Sequence, residues 1–135
     1  MKKYEILEHK ADLKIGAFGK TKEELFRHCL EAMAETQSPK LKIQRTVKRE
    51  VKIKSLDLSA LLVDFLSEVL YQTQVNKEVY YDVKFQNFTD TEIEAEIFGQ
   101  KVERFGEDIK AVTYHNLKIN QKEDRSWEAT VLFDI

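Results

Sequence analysis

Residues able to do chemistry gather at three places in the chain. Near the start, His9-Lys10-Ala11-Asp12 sets an imidazole, an ammonium and a carboxylate in one short stretch. At the far end Asp134 is followed at once by Ile135, so a carboxylate stands beside main-chain oxygens that include the terminal carboxylate. Several hard oxygens in two residues suit Ca²⁺ or Mg²⁺. Between these ends, KAVTYHNLKI over 110–119 carries Lys110 and His115. Its alternation puts Ile109, Ala111, Thr113, His115, Leu117 and Ile119 on one face and Lys110, Val112, Tyr114, Asn116 and Lys118 on the other. The inward histidine reads either as a core residue with backbone partners or as a site group at a sheet end. Asp12 likewise reads as a turn residue accepting backbone N–H groups or as a ligand. A zinc hydrolase built on His9, Asp12 and His115 is a rival reading, since two histidines and a carboxylate form a catalytic ligand set. The chain has no HExxH and no nucleophile motif.

The elements that must position these groups follow from periodicity. Tyr4 to His9 alternates as a short strand, and Leu13, Ile15 and Ala17 alternate with Lys14, Gly16 and Phe18 in a second. The polar 9–12 segment falls at their junction. Thr21 and Glu24 have capping-box spacing, and Leu25, Phe26, Cys29, Leu30 and Met33 form the buried stripe of a first helix, with His28 on its solvated flank. That stripe makes Cys29 packing, not a nucleophile. Pro39 stops the helix. An extended basic segment over 40–54 could touch phosphate, or serve as a half-exposed strand. Ser55 can cap a second helix, in which Leu58, Leu61, Leu62, Phe65, Leu66, Val69 and Leu70 face the core and Asp64 is exposed beside them. Two hairpins follow: 79–85 with 93–97, then the 110–119 strand with a last strand over 127–133. The order predicts an α+β fold, a single domain over 1–135 with two helices packed on a mainly antiparallel β-sheet.

Composition sets the outer limits. The 135 residues suffice for one core, and 22 basic against 24 acidic residues leave a net charge of −2, unlike a broad basic face for nucleic acid. One cysteine allows neither an internal disulfide nor a cysteine zinc cluster, which fits a reducing cytoplasm. No signal-peptide run or stretch of about 20 apolar residues occurs, so no membrane role is expected.

Taken together in order, His9-Lys10-Ala11-Asp12, FGKTKEELF, SALLVDFLSEVLY, KAVTYHNLKI and Asp134-Ile135 resemble the archease family across essentially the whole chain. The resemblance implies a small α+β protein that is not itself a catalyst. It would activate an RtcB-type RNA ligase by promoting its GTP-dependent guanylylation and its repeated turnover in tRNA splicing and RNA repair. It further implies a divalent metal ion, Ca²⁺ or Mg²⁺, held by Asp12, Asp134 and a main-chain or terminal oxygen of Ile135. His9, Lys110 and His115 match signature positions as second-tier functional residues. Contact with GTP and with RNA ends would be indirect, through the ligase. The chain departs from the family at Lys10, where threonine is frequent, and Lys14 adds a second cation to the stretch; both would oppose a metal beside Asp12 by Coulomb repulsion. Other classes stay open as alternatives, namely the stand-alone metal-dependent hydrolase and a chaperone or RNA-binding module resting on the basic 40–54 segment.

Overall fold

The computed structural model describes residues 1–8, 12–38, 42 and 44–135, with Glu8 described by its backbone alone. In chain order the elements are β1 (Tyr4–Glu8), β2 (Asp12–Gly19), α1 (Lys22–Gln37), β3 (Val47–Lys54), α2 (Leu58–Asn76), β4 (Glu78–Phe88), β5 (Glu92–Lys101), β6 (Ala111–Gln121) and β7 (Trp127–Asp134). This is the expected order, and the α+β reading holds. The strands divide between two sheets, one in the order β1-β2-β7-β6 and one in the order β3-β5-β4. Every pairing is antiparallel.

Capping chemistry starts both helices, with two departures from the sequence reading. Thr21 accepts the Glu24 N–H at 3.0 Å, but the Glu24 carboxylate takes the N–H of Lys20 instead of that of Thr21. Asp57, not Ser55, caps α2, accepting the Ala60 N–H at 2.8 Å; a carboxylate there also meets the positive end of the helix dipole. Ser55 donates instead to the Asp64 carboxylate at 2.6 Å. Lys77 ends α2 in the left-handed region at φ 57°.

The helices bury their stripes against both sheets. Leu13, Ile15 and Ala17 of β2, Phe26, Leu30 and Met33 of α1, Leu61, Phe65 and Leu66 of α2, and Val131 and Phe133 of β7 belong to one core. Each such large side chain contributes about 2 kcal/mol by leaving water. Phe26 and Phe88 meet edge to face at 5.0 Å between ring centres. Cys29 is fully buried in this core, as expected, and burial pushes its thiol up to about 12. His28, expected on a solvated flank, is buried with Nδ1 2.5 Å from the Phe18 carbonyl oxygen. A carbonyl near the end of β2 takes the ring as its partner and draws the histidine in. Gly99 passes so close to β4 that a Cβ would fall 2.0 Å from the Val79 carbonyl oxygen.

The basic strand over 47–54 is largely neutralised from within. Lys48 and Lys54 pair with Glu96 and Glu92 of β5 at 3.1 and 3.3 Å, and Lys52 lies in register with Glu94. Arg49 makes two 3.0 Å bonds to the fully buried Glu78. No described helix is long and apolar enough to cross a membrane.

Candidate functional site

The two chain ends meet because β7 is the inner partner of both β2 and β6. The register places Asp12 directly opposite Asp134, and Ala111 opposite Asp134 on the other side. Directly opposed residues on neighbouring strands share a face with their Cβ atoms about 5 Å apart. Two acidic side chains far apart in sequence thus project together from one end of the four-stranded sheet.

Among the described residues that pair has no ion-pair partner. Asp134 is exposed, whereas Asp12 is half-buried with an Oδ1 atom that is shut off from solvent and has no hydrogen-bond partner among the described residues. Like charges directly opposite each other destabilise a strand pair, so the arrangement favours a cation between them. The donors are hard oxygens throughout, the choice of Ca²⁺ or Mg²⁺. Ile135 packs against the core, which fixes the main-chain end next to Asp134. Among the described residues no group of three or more His, Cys, Asp or Glu that could hold a metal ion stands together.

Lys110 belongs to this end of the sheet. Its N–H donates to the Asp134 carbonyl at 2.7 Å, and its side chain is exposed. His115 does not. The register between β6 and β7 runs from Thr113 opposite Leu132 straight to Lys118 opposite Thr130, so residues 114–117 bulge out of the ladder. Asn116 takes φ 56° there, and His115 is exposed instead of inward-facing. The inward reading of His115 is therefore corrected: the alternation that predicted it is broken by the bulge before it reaches the histidine. His9 and Lys10 lie outside the described residues.

Two contacts between α2 and the β6 side were not legible in the sequence. Asp64, expected to be exposed, is half-buried and accepts from Tyr114 Oη at 3.1 Å as well as from Ser55. Gln74 donates from Nε2 to the Ile109 carbonyl at 3.1 Å. The only sequence hint of the first was the position of Asp64 beside the apolar stripe.

The model of the Archease protein family matches residues 4–135. The chain belongs to the archease family. Similar archeases include that of Methanosarcina barkeri, 39% identical over an alignment of 142 residues covering 99% of this chain and 97% of the relative. The archease of Pyrococcus furiosus is 31% identical over an alignment covering all of both chains. Among solved structures, a Methanobacterium thermoautotrophicum protein superposes with a TM-score of 0.79 at 28% identity over the whole of both chains. An archease from Thermotoga maritima, described as a possible chaperone, shares the fold with a TM-score of 0.70 over 96% of this chain and 94% of that one, at 22% identity. The archease framework thus covers both strands that carry the opposed acids.

Proposed function

We propose that this archease activates an RtcB-type RNA ligase in the cytoplasm, promoting guanylylation of the ligase by GTP and its multiple turnover in tRNA splicing and RNA repair. Within that reading the protein catalyses no ligation itself; GTP and RNA ends are met through the ligase. The observation that carries it is the Asp12–Asp134 pair, opposed across β2 and β7 with an orphaned buried Oδ1. Asp12, Asp134 and a main-chain oxygen of Ile135 would hold a divalent cation, Ca²⁺ or Mg²⁺. Such an ion supplies Lewis-acid stabilisation of phosphate oxygens when bound. The chain's own contribution is placement. Asp134 is held on both sides, by β2 and by β6.

Multiple-turnover ligation and ligase guanylylation, measured with wild type, Asp12→Ala and Asp134→Ala, test this. Both variants are expected to fold and to lose the stimulation of both reactions. Stimulation by either variant equal to that of the wild type overturns the proposal. The alternatives fare less well on the described residues. A zinc hydrolase needs His115 at Asp12, and the bulge sends it elsewhere. An RNA-binding face on β3 needs free lysines, and those of the strand lie against β5 glutamates.

A further inference from the structure

The strand end that carries Asp134 is paired with β2 on one side and, on the other, with β6 and the segment that leads into it. Lys110 N–H, at 2.7 Å from the Asp134 carbonyl, lies just outside β6 and comes at the end of a connection over 102–110 that has no ladder. The peptide joining Ile109 to Lys110 is one rigid plane, with the Ile109 carbonyl at one edge and the Lys110 N–H at the other. That plane is gripped at both edges. Its N–H holds Asp134, and its carbonyl accepts the Gln74 Nε2 amide at 3.1 Å, while the Ile109 side chain, 1% exposed, is set in the core. Hydrogen bonds on the two edges of one amide polarise it in the same direction and strengthen each other.

We infer that Gln74 is a positioning residue for the opposed carboxylates. It fixes the rotation of the Ile109–Lys110 peptide, and through it the main chain at Asp134. The Ile109 side chain anchors the segment, and Gln74 holds the plane of the peptide at the edge opposite Asp134. This rests on the reading of Asp12 and Asp134 as a cation site. Hydrogen-bonded partners behind a metal's ligands typically alter affinity by roughly 10–100-fold, and a residue acting through one intervening peptide belongs at the low end of that range.

The helix supplies its own control. Gln72, two positions earlier, makes a bond of the same kind and length from Nε2 to the Glu50 carbonyl at 3.1 Å, on β3 and away from the acids. Gln74→Leu and Gln72→Leu therefore each remove a side-chain-to-carbonyl bond of the same length from one helix, the first partly buried and the second exposed. Mg²⁺ and Ca²⁺ titrations by calorimetry, and amide hydrogen exchange at Lys110, are to be measured on the full chain. Gln74→Leu is expected to bind the ions about tenfold more weakly and to exchange faster at Lys110. Gln72→Leu should match the wild type in both. Equal affinity and exchange in Gln74→Leu and wild type, with binding intact, overturns this inference alone. Equal weakening by Gln72→Leu also overturns it, marking a general loss of stability. A wild type that binds neither ion removes the cation site itself, and this role of Gln74 with it.

Discussion

Asp12 and Asp134 are separated by nearly the whole chain and yet face each other across one rung. With no cation between them their repulsion, screened by water at the exposed Asp134, costs about 0.5 kcal/mol. Asp12→Asn or Asp134→Asn should therefore raise the melting temperature slightly in a chelator and abolish the further rise that Mg²⁺ or Ca²⁺ gives the wild type; thermal melts with and without the ions check both. The two acids could be picked out in the sequence by residue type and by resemblance, but their apposition could not. It depends on β7 inserting between β2 and β6, and periodicity within a strand carries no information about its neighbours. His115 shows the opposite failure, in which a local pattern was readable and the structure does not obey it.

At the scale of the element, the bulge in β6 explains that failure. Period-two reasoning assumes an unbroken ladder, and extra residues between Thr113 and Lys118 reset the phase. Asn116 was the available signal, since asparagine tolerates positive φ better than other residues with a Cβ. Asn116→Val should cost about 1–2 kcal/mol by denaturant unfolding, whereas Asn116→Gly should be close to neutral. The bulge is also tied down, by Tyr114 on Asp64 of α2. The caps were more legible because they are local. Thr21 acts as its spacing predicted, and the choice of Asp57 over Ser55 turned on a competing bond from Ser55 to Asp64, a contact that only the packed helix creates.

Over the whole molecule, hydrophobic periodicity revealed both helices and the order of strands, because burying those stripes is what the fold does. The electrostatic ties between elements were less visible. Arg49 on β3 reaches the buried Glu78 of β4 across β5, and Tyr80 Oη donates to the same carboxylate at 2.7 Å. The hydrogen bonds from Arg49, and then that from Tyr80, outweigh burial and hold the Glu78 carboxyl below its ordinary range. A folded-state value below the unfolded one means stability that is full above the usual carboxylate range and is lost as pH falls through the folded value. Glu78→Gln should cost on the order of 3 kcal/mol at neutral pH, the low end for breaking a buried pair because Arg49 is partly exposed. That gap should close on acidification below roughly pH 4 in urea unfolding series.

The placement of β7 has a consequence for how the protein is made. β2 emerges early in synthesis and β6 late, but neither has its shared neighbour until β7 follows. Until then β2 has only β1 beside it, and the edges that will receive β7 lie open to other chains. The acid pair thus forms only once β7 has been made. A chain broken off before Trp127 would carry Asp12 without its counterpart and would leave the β2 and β6 edges open to pairing with other chains.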